Sequence, residues 1–160
     1  MENVKFKYGT IQLTAEVEQE YFWSGVTINC GNKKMKFQEA IPVSIFTKQK
    51  RLESSLLQLI ESVLSKVDSF LETAILYLKN TLLENPSKYH IKDDELAELD
   101  LDMYDFPVDL PEINFYENME WMIRFATGRF DICDPYGIAV CFKEEQPISV
   151  EDLSENEIID

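Results

Sequence analysis

The stretch "LESSLLQLIESVLSKVDSFLETAILYLKNTLLENP", Leu52 to Pro86, decides the fold, because its apolar residues recur every three or four positions. Leu52, Leu56, Leu59, Ile60, Val63, Val67, Phe70, Leu71, Ala74, Leu78 and Leu82 form one stripe, with Glu, Lys, Gln and Ser between them. No Gly or Pro interrupts the run before Pro86. It is longer than most globular helices, so the polar interval from Ser65 to Ser69 predicts two packed helices, the second capped by Asp68. Such a stripe must bury itself against another surface, and the flanking sequence supplies sheets.

Upstream the period is two. Val4, Phe6 and Tyr8 alternate with Lys5 and Lys7; after Gly9, the set Ile11, Leu13, Ala15 and Val17 interleaves with Gln12, Thr14, Glu16 and Glu18. Val26, Ile28 and Cys30 continue the pattern, "GNKK" supplies turn chemistry, and Met35 and Phe37 predict a fourth short strand that Pro42 ends. In the aromatic cluster Tyr21, Phe22 and Trp23 the favoured role is core. Downstream, strands are predicted at Trp121 to Ala126, Arg129 to Cys133 and Ile138 to Lys143, followed by an acidic tail over 149–160 that frays. The expectation is one α+β domain over 1–160: an antiparallel sheet, built from an N-terminal meander and a C-terminal hairpin, packed against the central helices.

The hairpin rests on "DICDPYGIAVCF", Asp131 to Phe142. Asp134, Pro135 and Gly137 occupy the first, second and fourth positions of a type I turn, where each is favoured. With Gly137 left-handed in a bulge, Asp134 pairs with Ile138, and Phe130, Ile132, Ile138, Val140 and Phe142 share one apolar face. Cys133 then lies opposite Ala139 and Cys141 opposite Asp131, which separates the thiols beyond ordinary disulfide reach. A second layer is expected over that thiol-bearing face. Three cysteines without a CxxC, and a single histidine, His90, do not make a structural zinc site, so no metal or cofactor is expected.

Composition limits the function classes. Hydrophobic residues make up 45% of the chain, which is that of a packed protein. The formal charge is -15, from 30 acidic residues against 15 Lys and Arg. Nucleic-acid backbones and anionic lipids would be repelled, so the favoured partner is a basic protein. The start "MENVKFKYGT" does not read as a signal peptide, and no apolar run approaches the roughly 20 residues of a membrane helix, so the expected location is cytoplasmic.

Catalytic patterns are thin. A general base at His90 would need a nucleophile or substrate proton in reach, and no serine or cysteine motif points to it. The five glycines form neither a phosphate loop nor a dinucleotide fingerprint. A calcium loop from Asp100 and Asp102 fails, because Asp105 stands where Gly is needed and Pro111 where the bidentate Glu is needed. Carboxylates are plentiful, yet abundance says nothing of the cleft geometry a carboxylate hydrolase needs.

The strongest remaining feature is the segment 93–120, which has no basic residue before Arg124 and reads as a short helical turn followed by an extended acidic loop. Asp93, Asp94, Glu95, Glu98, Asp100, Asp102, Asp105 and Asp109 are the candidate partner-binding acids, with Tyr104 and Phe106 as apolar anchors.

With "YFWSGVTINC", the central helices and "ICDPYGIAVCFKEEQPISVEDLSENEI" in place, the order resembles a group of small uncharacterised bacterial cytoplasmic domains. Several of these look like immunity proteins of polymorphic toxin systems. The family's turn often looks like Trp-Asp-x-Glu-His-Gly, whereas this chain has Cys133, Asp134, Pro135, Tyr136 and Gly137. The resemblance therefore carries over turn geometry but no histidine role. It implies a non-catalytic binding protein that neutralises a basic toxin by occluding its active site. The competing expectations are an acidic adaptor or nucleic-acid mimic with another basic partner, and a hydrolase built on carboxylates and His90.

Overall fold

The computed structural model describes residues 2–153. Its strands are β1 (Asn3–Phe6), β2 (Gly9–Val17), β3 (Glu20–Ile28), β4 (Ile41–Thr47), β5 (Val108–Phe115), β6 (Glu120–Gly128), β7 (Ile138–Lys143) and β8 (Gln146–Asp152). They form one sheet in sequence order. Every neighbour is antiparallel except β4 and β5, which run parallel. Two four-stranded meanders are thus joined at a parallel seam. A parallel pair needs a long crossover, and this one holds the helices α1 (Ser54–Ser65) and α2 (Val67–Glu84). The fold is α+β, as the change of period predicts.

Register explains why the halves share a core. Leu13, Trp23, Ile45, Phe115, Trp121 and Phe142 are successive cross-strand partners from β2 to β7. A second row runs Val26, Val43, Ile113, Ile123, Val140 and Val150 from β3 to β8. All but Val150 are buried. Phe70 of α2 packs edge-on against Trp121 and Phe142, at ring separations of 5.1 and 5.8 Å, so the helices cover this face. The buried indole nitrogens are satisfied: Trp23 donates to Thr47 Oγ1 at 2.9 Å and Trp121 to the Glu144 carbonyl at 2.6 Å.

The central run is two helices, broken at Lys66 as the polar interval predicts, and ten of the eleven stripe residues are buried, Leu52 being half-buried. Asp68 does not cap the second helix. It lies in the first turn, and its carboxylate accepts the Gly31 backbone N–H at 2.8 Å, tying α2 to the end of the first meander.

Five expectations are corrected. Met35 and Phe37 are buried but lie in an irregular segment, and the fourth strand is β4, which contains Pro42. The alternation in β2 stops at a register shift after Leu13, leaving Ala15 and Val17 exposed. The acidic loop predicted over 93–120 is instead a short helix α3 (Asp93–Leu96), a 3-10 turn (Ala97–Asp100) and then β5, a strand inside the sheet. Residues 149–152 of the predicted tail belong to β8; the remainder, 154–160, lies outside the described residues.

The last correction concerns the C-terminal hairpin. β7 pairs not with Arg129 to Cys133 but with β6, so that Phe125 faces Ile138. Residues 129–137 instead make an inward loop with a 3-10 turn at Asp131–Cys133. Its backbone groups are taken up locally: Arg129 N–H donates to the Pro107 carbonyl, Cys133 N–H to Phe130 and Gly137 N–H to Cys133. Phe130 and Ile132 are buried as their composition demands, but from a loop. Gly137 is left-handed as expected, with φ of 84°.

Candidate functional site

The predicted partner-binding residues fall into three groups. Asp93, Asp94, Asp100, Asp102, Asp105 and Asp109 are exposed, and Tyr104 stands among them 49% exposed. Two of these carboxylates also shape the backbone: Asp102 Oδ1 accepts the Asp105 N–H at 2.9 Å and Asp109 Oδ1 the Leu110 N–H at 2.8 Å. Glu98 is half-buried and paired with Arg129, Nη2 to Oε2 being 2.6 Å. Glu95 and Phe106 do not belong to the surface. The Glu95 carboxylate is buried and accepts the N–H groups of Lys92 and Asp131, both at 2.9 Å, which pins α3 to the 129–137 loop. Phe106 is 1% exposed with its ring against Phe130, so it cannot anchor a partner.

Folding also brings cations to the segment. Lys92 pairs with Asp131, whose hydrogen bond and charge raise the lysine's pKa. Arg129 reaches both Glu98 and the Asp105 carbonyl, and Lys36 Nζ donates to the Phe106 carbonyl at 2.9 Å. The six aspartates of the segment stay exposed, as does Tyr104.

The sheet face opposite the helices carries Ser44, Asn114, Met122, Cys141 and Ser149 as one cross-strand row. Glu112, Arg124, Ala139 and Glu151 form the next. Arg124 is held in place by Glu112, at 3.1 Å, and by the Tyr136 carbonyl, at 2.9 Å. Phe46 stacks on Tyr116 at 5.3 Å and meets Phe22 tilted at 5.1 Å, so of the early aromatic cluster Trp23 is buried in the core, Tyr21 packs against that core half-buried and Phe22 lies half-buried against Phe46. The expected second layer is replaced by this half-open face.

Neither thiol has the cross-strand partner that the hairpin register predicts, Ala139 for Cys133 and Asp131 for Cys141. Cys141 faces Met122 and Ser149, and Cys133 lies buried in the 129–137 loop. Burial, with Asp152 and Glu95 nearby, pushes the Cys133 thiol up to about 12; burial and Glu151 push Cys141 up to about 11. All three cysteines are free thiols. Among the described residues no three His, Cys, Asp or Glu side chains converge as a metal site requires. His90 is exposed in the turn after α2, with φ of 54°.

Sequence reading overlooked Glu39 and Leu110. Leu110 has φ of 52° and is 44% exposed, although it stands within a strand and before Pro111. The Leu-Pro pair did not signal it, since a residue before proline is ordinarily held extended. Glu39 had no signal either, because it lies in an irregular segment.

Among the described residues no helix is long and apolar enough to cross a membrane. No protein-family model, curated protein or solved structure matches the chain.

Proposed function

We propose that this chain is a non-catalytic intracellular binding protein of the immunity type, which holds a cationic partner such as a nuclease toxin and covers that partner's substrate groove. The observation that supports this reading is the set of exposed acids over 93–109, with Tyr104 exposed in the same segment. A net charge of -15 attracts a cationic protein from a distance and accelerates encounter, while the half-exposed ring supplies the apolar contact that carboxylates lack. The acids sit on short elements pinned by Glu95 and Asp102, so little ordering accompanies docking.

The test is affinity capture from the native cell, followed by association kinetics on the partner recovered. Wild type is expected to retain one cationic protein at equal stoichiometry. Replacing Asp94→Lys, Asp100→Lys and Asp105→Lys together is expected to slow association at least about tenfold and to flatten its salt dependence. Recovery of no cationic protein would remove this reading, and association of the triple variant at the wild-type rate would remove the 93–109 surface from it.

A further inference from the structure

β4 and β5 pair over only three positions, Val43 with Ile113, Ser44 with Asn114 and Ile45 with Phe115. Both strands extend beyond that ladder at their N-terminal ends, and there each carries a proline, Pro42 and Pro111. Proline has no N–H to donate, so the ladder does not continue and the sheet opens at the seam between its halves. A groove of about 440 Å³ fills the opening, between the irregular segment 36–40 and β5.

Three properties of the groove point the same way. Past the ladder, β5 keeps its pairing to β6 on one side and lacks β4 on the other; Pro111 has no N–H and the Leu110 N–H is held by Asp109 Oδ1, so at 110–111 β5 offers no donor and only a donor-rich group can bind its backbone there. Leu110 stands in the left-handed region, which a bulky residue rarely adopts, with its side chain exposed at the rim. The charges divide unequally: Arg124 is neutralised by Glu112, and against the single charge of Lys36, held at the Phe106 carbonyl, stand Glu39 and Asp109, two exposed acids with no ion pair among the described residues.

We propose that this groove receives an extended basic segment of the partner, lying between segment 36–40 and β5. A Lys or Arg of that segment lies between Glu39 and Asp109, and its aliphatic stem rests on Leu110 and Pro42. The inference rests on the reading of the chain as a binder of cationic proteins, and it locates one contact that shares only Asp109 with the acids of 93–109.

The probe is a fluorescent six-residue peptide alternating Lys and Val, measured by anisotropy and by amide shifts in nuclear magnetic resonance. Shifts are expected at Glu39, Ala40, Asp109 and Leu110. Replacing Glu39→Gln and Asp109→Asn together is expected to weaken binding at least about tenfold, and Leu110→Gly about threefold or more while the fold is kept, since glycine accepts the positive φ. The triple variant Asp94→Lys, Asp100→Lys, Asp105→Lys should bind the peptide within about threefold of wild type, because its positions lie outside the groove. No peptide binding, wild-type affinity in the Glu39/Asp109 variant, or shifts confined to 93–105 would overturn the groove. In those cases the broader reading still stands if the triple variant loses the cationic partner. Conversely, peptide capture at the groove with partner association indifferent to the triple reversal would remove the Tyr104 surface and leave the groove.

Discussion

Cys133 is 2% exposed, and burial holds its thiol neutral to about 12 from an ordinary value of 9.0. In the unfolded chain the same thiol ionises near its ordinary value, so between those limits the unfolded state binds fewer protons than the folded one. The stabilisation is therefore complete below about pH 9 and is lost as pH rises towards 12, by about 1.4 kcal/mol per pH unit. Melting wild type beside Cys133→Ala from pH 7 to pH 10.5 tests this: the gap in Tm should narrow above pH 9, and a constant gap would contradict the burial argument. The side chain's inward position was partly legible, because Cys behaves as a small hydrophobe. Its neighbours were not, since Glu95 comes from α3, Gly128 from β6 and Asp152 from β8. Glu95 shows the reverse case. By composition it was one acid among many, and only the N–H groups of Lys92 and Asp131 make it structural.

At the scale of elements, the loop between β6 and β7 depends on Gly137. A Cβ there would lie 2.0 Å from the Phe125 carbonyl oxygen, and its φ of 84° already disfavours any side chain. Gly137→Ala is expected to cost on the order of 3 kcal/mol or more, read from urea denaturation. A loss below about 1 kcal/mol would mean that the loop relaxes away from β6. The sequence showed that Gly137 is left-handed but not which strand it follows. Asp-Pro-Tyr-Gly satisfies a tight hairpin locally, and Phe130 and Ile132 are apolar in either arrangement. Burial of the pair in the loop, with Trp121, Ile123 and Phe125 facing β7, fills the core more completely than a hairpin alone would. β5 was missed for a related reason: Leu110 and Pro111 break the alternation, although β6 pairs with both ends of the strand.

Over the whole molecule, a charge of -15 on 160 residues repels itself in the compact state. Raising NaCl from about 0.02 to about 0.5 M screens that repulsion, and Tm is expected to rise by several degrees. A fall in Tm would show that the ion pairs of Glu98 with Arg129 and Glu112 with Arg124 outweigh the general repulsion.

The sequence by itself determined the α+β class, the two helices and their stripe, the boundaries of β7 and the acidic character, because periodicity and composition act through near neighbours and through total charge. Only the tertiary structure decided that the two meanders join at a parallel seam, that Glu95 and Phe106 turn inward, and that the seam opens at Pro42 and Pro111. Those outcomes depend on which strands meet across long separations in the chain, and burial settles that choice for all the strands together.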